Sequence, residues 1–312
     1  MSVVVFAYHE VGCRALEVLV ELGVPVGCVY THRDDVRENA WFRSVADVAS
    51  SLGLPVRTAD PRTEAEQRHI RRLTPRMLLS AYWRRLLPDP VLALAPVAVN
   101  VHGSLLPRYR GRAPVNWQIL HGEHEGGVSL HHMTGEPDAG DLVDQEPFPI
   151  GPDDTPLDVY RKLVPAAATV LRRSVPALLD GHAPRRPQLA SNATSFRARC
   201  PADGLIDFRY AAEDVRNLIR AVTDPYPGAY CYAGSRKITI WWATHAPAIP
   251  ADQGAHRAGE VETGPTGVLV TCGDGRRLRL TDVETDERRG SPRDFPDLLH
   301  HGAILTQPEG HP

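Results

Sequence analysis

Residues 96–114 read P-V-A-V-N-V-H-G-S-L-L-P-R-Y-R-G-R-A-P, and this stretch decides how the chain is organised. Its first part, Pro96 to Val99, is a short run of small and β-branched apolar residues, which is typical of a buried strand. Side chains two residues apart point to the same side of a strand, so Asn100 and His102 address one point if the extended geometry continues. Because open α/β sheets bind ligands at the carboxyl ends of their strands, we expect the functional site here.

The residues before this stretch alternate between strand and helix patterns. Strand patterns lie at 3–7, 25–30, 56 and 77–81, and helical patterns lie at 11–22, 44–52 and 64–73. This alternation predicts an α/β domain with a Rossmann-like, mainly parallel sheet. The turn after the first strand reads A-Y-H-E-V-G-C and lacks the glycine fingerprint of dinucleotide sites, so we expect no NAD.

The second half of the chain has a different pattern. After a helix at 212–222, short strand patterns separated by glycine-rich turns lie at 230–232, 237–243, 259–262, 267–271 and 278–283. This pattern predicts a small β-barrel. We therefore predict a catalytic domain over residues 1–185, a linker over 186–202, a barrel domain over 203–305 and a disordered tail over 306–312.

Bulk composition narrows the class of protein. The net charge of -3 and the pI near 6.5 give no overall electrostatic attraction to nucleic acid. No basic leader and no apolar run of about 20 residues is present, so we expect no membrane insertion. The five scattered cysteines fit a reducing compartment, and we expect the cytoplasm. The histidine pairs at 131–132 and 300–301 lack further ligands at a recognised spacing, so we expect no metal.

A longer pattern points to a family. The stretch N-V-H-G-S-L-L-P-R-Y-R-G-R-A-P, followed by Asp138-Ala139-Gly140-Asp141, resembles the signature of formyltransferases that use 10-formyltetrahydrofolate. The start F-A-Y-H-E-V-G-C and Tyr30-Thr31-His32 look most like the formyltransferase domain of the bifunctional UDP-4-amino-4-deoxy-L-arabinose formyltransferase/UDP-glucuronate decarboxylase. We expect that domain here without the decarboxylase. The resemblance also implies that the C-terminal barrel is of the OB type.

The resemblance implies a catalytic trio of Asn100, His102 and Asp138. Formyl transfer to an amine passes through an oxyanion, for which the Asn100 amide would be the donor. An imidazole, with a free pKa of about 6.5, suits His102 to carry protons near neutrality. Asp138 would orient the ring of His102. The reaction needs no metal.

The resemblance also implies the contacts to the folate donor. The folate-contact residues it implies are Arg84, Arg85, Leu86, Arg112, Thr134, Gly135, Glu136, Pro137 and Asp138. The first three would act mainly through their main chain. For Arg112 an equally physical role is to grip a phosphate of the acceptor.

The acceptor is the least determined part of the function. The loop reads R-G-R-A-P where methionyl-tRNA formyltransferases usually read R-G-A-A-P, which favours a nucleotide-linked amino sugar, first of all UDP-4-amino-4-deoxy-L-arabinose. With that acceptor the resemblance implies lipid A modification and polymyxin resistance. The alternatives are a methionyl-tRNA formyltransferase, a 10-formyltetrahydrofolate hydrolase and a catalytically silent folate-binding module. The oligomeric state is left open.

Overall fold

The structure of the chain, a computed structural model, describes residues 2–33, 39, 41–247 and 257–308. Contacts divide the chain into two compact units. The first contains Met1–Val115, Glu125–Pro149 and Val159–Arg197, and the second contains Asn116–His124, Ile150–Asp158 and Ala198–Pro312. The domain limits given above, at residues 185 and 203, stay a prediction.

The elements up to residue 196 alternate between strands and helices. In chain order they are β1 Ser2–Ala7, α1 His9–Glu21, β2 Val26–Tyr30, α2 Val45–Ser51, β3 Val56–Arg57, α3 Glu64–Arg72, β4 Pro75–Ala81, α4 Asp89–Leu92, β5 Val97–His102, β6 Arg110–Gly111, α5 Pro114–Leu120, β7 Glu125–His132, β8 Leu142–Pro149, α6 Pro156–Asp180 and β9 Ser195–Phe196.

Seven of these strands form one sheet in the order β3-β2-β1-β4-β5-β7-β8. The pairs among β1 to β5 are parallel, whereas β7 runs antiparallel to both β5 and β8. The predicted mainly parallel α/β sheet is therefore confirmed. The order reverses between β1 and β4, and open α/β sheets bind ligands at the carboxyl ends of the strands at such a switch point.

Apolar side chains from the strands and helices of this unit form its core. Phe6 stacks on Tyr30 with 5.3 Å between ring centroids, and both are fully buried together with Ile70 and Leu78. Burying each such side chain contributes roughly 1.5–3 kcal/mol. The hydroxyl of Tyr30 donates to the carboxylate of Glu66, at 2.7 Å, so the buried polar group is satisfied.

The second unit contains an antiparallel barrel preceded by a helix. Its elements are α7 Ala212–Val222, β10 Ala229–Ala233, β11 Arg236–His245, β12 Val261–Gly264, β13 Gly267–Thr271, β14 Arg277–Glu284, β15 Arg289–Gly290 and β16 Leu305–Thr306. The strand order is β12-β13-β14-β11-β10-β16, with β15 on β14.

The last strand joins the two edges of this sheet. Thr306 pairs with Tyr232 of β10, while the N–H of Leu305 donates to the carbonyl of Gly259 at 2.8 Å, just before β12. The sheet therefore closes, as predicted for the C-terminal half. Thr306 belongs to the predicted tail yet lies in a strand, and residues 309–312 of that tail lie outside the described residues. Over the described ranges, no helix has the length and apolarity required to span a bilayer.

Candidate active site

Strand β5 carries the first two predicted site residues. Asn100 lies opposite Ser80 of β4 and opposite His131 of β7, near the carboxyl end of the strand, and His102 is its last residue. A side chain on the next residue, Gly103, would place its Cβ 2.3 Å from the hydroxyl oxygen of Tyr82. The glycine therefore lets the loop after β4 approach the end of β5 closely.

The third predicted residue, Asp138, comes from the loop between β7 and β8. Its Oδ1 atom lies 3.4 Å from Nδ2 of Asn100 and 3.5 Å from Nδ1 of His102. Its other oxygen, Oδ2, accepts a hydrogen bond from the N–H of Gly111 at 2.8 Å. The structure thus brings Asn100, His102 and Asp138 together around one carboxylate.

The backbone of Asp138 is in the left-handed region, with φ of 53°. A non-glycine residue pays roughly 1–2 kcal/mol for this conformation, although aspartate tolerates it better than most. The neighbouring Gly140 is packed against the end of β7, because a Cβ there would lie 1.9 Å from the carbonyl oxygen of His132. The tight loop directs the carboxylate towards β5.

Hydrogen-bond chemistry fixes where His102 carries its proton. Its Nε2 atom lies 2.7 Å from the carbonyl oxygen of Tyr109, and a carbonyl only accepts. Nε2 must therefore carry a hydrogen and donate it. In the neutral ring, the lone pair is on Nδ1, which faces Asp138 and is the atom able to take up a proton.

His131 is a fourth member of this cluster that sequence reasoning missed. Its Nδ1 donates to the carbonyl of His132 at 2.9 Å, and its Nε2 lies 3.1 Å from Nδ2 of Asn100 and 3.4 Å from Oδ1 of Asp138. In the neutral ring Nε2 accepts from the Asn100 amide, and in the protonated ring it donates to the Asp138 carboxylate. The sequence interpretation considered His131 only as half of a histidine pair. The cross-strand register of β5 and β7 brings it next to Asn100, and that register is not visible in either strand alone.

The surroundings keep Asp138 ionised. Burial is the largest influence and by itself raises the pKa of the carboxyl. The charge of His102, the hydrogen bond and charge of His131, and the N–H of Gly111 together outweigh burial and hold the pKa of Asp138 well below its usual range. The group is therefore a carboxylate throughout the neutral and mildly acidic range.

The predicted folate-contact residues Arg84, Arg85 and Leu86 lie in the loop after β4. The guanidinium of Arg84 lies over the ring of Tyr8, 4.2 Å from its centroid, and its carbonyl accepts from Arg112 Nη1 at 3.1 Å. Arg85 makes an ion pair with Asp60 at 3.3 Å, away from the trio, and the side chain of Leu86 is exposed. The link between Arg112 and Arg84 joins this loop to the loop after β5.

The remaining predicted folate contacts, residues 134–137, form an exposed loop before Asp138. The hydroxyl of Thr134 donates to the carbonyl of Glu136 at 3.0 Å, which folds the loop on itself. Gly135 lies beside Asp89 at the start of α4, since a Cβ on Gly135 would be 3.2 Å from Asp89 Oδ1. This loop therefore borders the same end of the sheet as the loop after β4.

Just after the carboxyl end of β1 lies a buried histidine, His9, that the sequence did not indicate as a site residue. Its ring packs among aromatic side chains, with centroid distances of 4.6 Å to Trp41, 4.1 Å to Phe42 and 4.7 Å to Tyr160. Its Nδ1 has no hydrogen-bond partner among the described residues. Burial, followed by the charge of Arg84, lowers the pKa of His9 to about 3. The residue is a neutral imidazole beside the loop after β4.

These observations define a class of protein. An amide donor, an imidazole and a carboxylate meet at the carboxyl end of a mainly parallel sheet, a combination suited to transferring a group through an oxyanion intermediate. Within the described part of the chain, no group of three or more His, Cys, Asp or Glu side chains is arranged to hold a metal ion.

The chain belongs to the formyl transferase family, since the family model "Formyl transferase" matches residues 17–175 and the model "Formyl transferase, C-terminal domain" matches residues 200–295. The two models together cover most of both units described above. The protein is a formyltransferase.

Solved structures with a similar fold support this architecture. An N-formyltransferase from Helicobacter canadensis, in complex with folinic acid and dTDP-3-aminofucose, has a TM-score of 0.69 at 19% identity, over 90% of this chain and 98% of that one. The sugar 3N-formyl transferase WlaRD, solved with dTDP and 5-N-formyl-THF, has a TM-score of 0.68 at 16% identity, over 92% and 98%. HypX from Aquifex aeolicus, in complex with tetrahydrofolic acid, has a TM-score of 0.64 at 17% identity, over 96% and 48%. Likenesses at these identities bear on the fold alone.

Proposed function

We propose that the protein transfers a formyl group from 10-formyltetrahydrofolate to the amine of a nucleotide-linked amino sugar. One observation carries the proposal: Nδ2 of Asn100 and Nδ1 of His102 both lie within 3.5 Å of the same carboxylate oxygen of Asp138. The acceptor class is supported by two proteins of similar fold, one described with dTDP-3-aminofucose and one as a sugar 3N-formyl transferase. The sequence resemblance makes UDP-4-amino-4-deoxy-L-arabinose the first acceptor to test, and lipid A modification would follow only with that acceptor.

The proposed reaction begins with attack of the acceptor amine on the formyl carbon. A carbon–nitrogen bond forms, and the carbonyl oxygen becomes an oxyanion that accepts a hydrogen bond from the Asn100 amide. Nδ1 of His102 takes the proton that the amine loses, and the carboxylate of Asp138 stabilises the imidazolium. When the intermediate collapses, the bond to the folate nitrogen breaks, and that nitrogen receives the proton from His102.

The hydrogen bonds of Asn100 are compatible with this role. One amide hydrogen is directed at His131, at 3.1 Å, and the second makes only a long contact of 3.4 Å with Asp138. Catalytic hydrogen bonds are often long before substrate binds, so the second hydrogen is the one available to the oxyanion. His131 would then hold the amide plane while the reaction proceeds.

We assign the donor to the end of the sheet bordered by the loop after β4 and the loop before Asp138. The main chain of the loop after β4 offers N–H and carbonyl groups to the edge of the pterin ring, in the region of residues 84–86. The loop 134–138 closes the other side, and Arg112 is bonded to the carbonyl of Arg84 in the loop after β4.

One experiment tests the function directly. The protein is incubated with 10-formyltetrahydrofolate and a panel of UDP- and dTDP-linked amino sugars, and each product is weighed by mass spectrometry for the gain of one formyl group. Formylation of an amino sugar supports the proposal. Formylation of initiator methionyl-tRNA with no sugar product would replace it with the tRNA function, and release of formate without any acceptor would replace it with hydrolysis.

A further inference from the structure

Gln188 uses both ends of its side-chain amide in the wall of the site. Its Nε2 donates to the carbonyl oxygens of Asp138 and Gly140, at 2.8 and 2.7 Å. Its Oε1 accepts from the guanidinium of Arg110, at 2.8 Å from Nη2 and 3.2 Å from Nε. A single side chain therefore bonds the backbone at Asp138 and again two residues later, at Gly140.

The segment around Gln188, residues 186–196, is bonded to both loops of the site. Arg186 exchanges two backbone hydrogen bonds with Leu142, directly after the Asp138 turn. Further along, the hydroxyl of Thr194 accepts from the N–H of Tyr109 at 2.8 Å. The carbonyl of Thr194 accepts from the N–H of Arg110 at 2.8 Å. The sequence interpretation made residues 186–202 a linker, and the structure shows part of it clamped against the site.

The loop after β5, which is bonded to the 186–196 segment, carries two backbone groups that position His102 and Asp138. The carbonyl of Tyr109 accepts from His102, and the N–H of Gly111 donates to Asp138. Tyr109 and Asp138 both have left-handed backbones, with φ of 61° and 53°. Conformations of this kind persist only where the surroundings hold them, and the bonds from the 186–196 segment are part of those surroundings.

We infer that Gln188 is a positioning residue for formyl transfer, which fixes the Asp138 turn so that the carboxylate keeps facing His102. The inference rests on the proposed function of the trio. The side chain of Gln188 bonds main-chain carbonyls, those of Asp138 and Gly140, and not the reacting atoms of the trio. It acts through the backbone, and its effect depends on what Asp138 does.

The amide is specific to this task, because it offers donors to two carbonyls and an acceptor to a guanidinium at once. A carboxylate at the same place would keep the bonds from Arg110 and would face the two carbonyls with an oxygen, so both donors would be lost. An apolar side chain of the same length would lose all four bonds. Both Gln188→Glu and Gln188→Met therefore lose the donors to the Asp138 turn. Only Gln188→Met also loses the acceptor for Arg110.

The kinetic test compares Gln188→Met and Gln188→Glu with Gln67→Met. Gln67 is a half-buried glutamine in α3 whose amide also donates to a backbone carbonyl, that of Arg62, so it controls for the loss of one such bond. We expect kcat to fall by about 10- to 100-fold in both Gln188 variants, while KM for either substrate changes by less than about 3-fold. Gln67→Met should keep the wild-type kcat.

The second arm separates positioning from general support of the fold. Residues that act as one unit are not additive, so Gln188→Met should cost less than about 3-fold when Asp138 is already Asn. A merely structural residue would lower kcat by the same factor in both backgrounds, and that outcome overturns the inference.

The third arm needs no substrate, and it therefore tests the inference even if the proposed function fails. Hydrogen exchange of the Gly111 amide reports its bond to Asp138. We expect exchange at Gly111 to be at least about 10-fold faster in both Gln188 variants and in Asp138→Ala, and unchanged in Gln67→Met. Wild-type exchange at Gly111 in both folded Gln188 variants would overturn the inference, whereas a wild type that formylates nothing would overturn only the proposed function.

Discussion

Nδ1 of His102 lies 3.5 Å from Oδ1 of Asp138, on the opposite side of the ring from the nitrogen that donates to the Tyr109 carbonyl. The bond to Tyr109 holds the ring at Nε2, and the bond from Nδ1 to the carboxylate forms when Nδ1 carries a proton. A carboxylate beside that atom stabilises the imidazolium and leaves the neutral ring with its lone pair in the site. This arrangement suits a proton carrier whose position is fixed before substrate arrives.

Replacing Asp138 by Asn should remove the charge while preserving the shape of the side chain. We expect kcat to fall by about 10²- to 10⁴-fold, because the imidazolium loses its counter-charge, with the KM for each substrate close to wild type. Asp141→Asn, in the same loop but with a more exposed side chain paired to Arg185 at 3.8 Å, is the matched control. Near-normal turnover in Asp138→Asn would remove Asp138 from the mechanism.

The lowered pKa of Asp138 also makes the free energy of unfolding depend on pH. Since the folded-state pKa is lower than the unfolded value of about 3.9, the stabilisation is present above that pH and is lost as the pH falls through the acid range. Because asparagine does not ionise, Asp138→Asn should lower the unfolding free energy at neutral pH and make it fall less steeply below about pH 4, as measured by denaturant titration.

Removal of the Asn100 amide should leave the oxyanion without its donor. We expect Asn100→Ala to lower kcat by about 10²- to 10³-fold, the usual effect of losing one such donor. Asn100→Asp keeps the size of the side chain but supplies no N–H and adds a negative charge beside Asp138. It should be no more active than the alanine variant in steady-state assays, and a clearly more active aspartate variant would contradict the oxyanion role.

Substitution of Arg112 should reveal which substrate it holds. Because its guanidinium is bonded to the carbonyl of Arg84, we expect Arg112→Met to raise KM for the folate donor by about 10-fold or more and KM for the acceptor by less. Arg108→Met, an exposed arginine of the same loop, is the control. Initial rates with each substrate varied in turn provide the measurement, and a rise confined to the acceptor would assign Arg112 to an acceptor phosphate instead.

The buried His9 should make the protein sensitive to mild acid. Its pKa is lowered from 6.5 to about 3, so its stabilisation is fully present above pH 6.5 and is lost as the pH falls towards 3, where the unfolded chain binds a proton that the folded chain does not. This costs about 2 kcal/mol of unfolding free energy by pH 5.

The variant His9→Asn isolates this effect, because asparagine tolerates the left-handed φ of 65° at this position. Denaturant titrations at pH 7 and pH 5 should give a smaller pH difference for His9→Asn than for wild type. His182→Asn, at an exposed position, should keep the wild-type difference. Equal pH differences in wild type and His9→Asn would show that His9 titrates normally.

A side chain at Gly140 should displace the Asp138 turn. A Cβ there would lie 1.9 Å from the carbonyl oxygen of His132, so the backbone has to move. We expect Gly140→Ala to lower the unfolding free energy by about 1–3 kcal/mol and to reduce kcat as well. Gly264→Ala, where a Cβ would meet nothing within 4 Å, is the control and should change neither. Thermal unfolding and steady-state kinetics measure the two effects.

The local elements could be read from the sequence because their patterns are local. The valine-rich run at 3–7 and the helix at 212–222 are each specified by the spacing of apolar residues within one segment, and the structure has a strand and a helix there. The alternation of such segments also predicted the mainly parallel sheet. The sequence does not show that β7 runs antiparallel to β5, because the direction of a strand depends on how the chain returns to the sheet.

In the candidate site, too, some residues could be found from the sequence and others could not. The motif around Asn100 and the Asp-Ala-Gly-Asp loop identified three residues, and the structure brings their side chains together. His131 and Gln188 carry no motif that reasoning from one sequence could use, since one joins the site through the register between β5 and β7 and the other through a segment read as a linker.

The amino-acid sequence alone therefore determined the order of strands and helices, the family signature and the candidate residues for the chemistry. Only the tertiary structure decided which nitrogen of His102 is free, that Asp138 stays ionised, and that His131 and Gln188 belong to the same cluster. The reason is physical. Secondary structure depends on side chains a few residues apart, whereas ionisation and hydrogen-bond direction depend on groups that meet only after strands distant along the chain have paired.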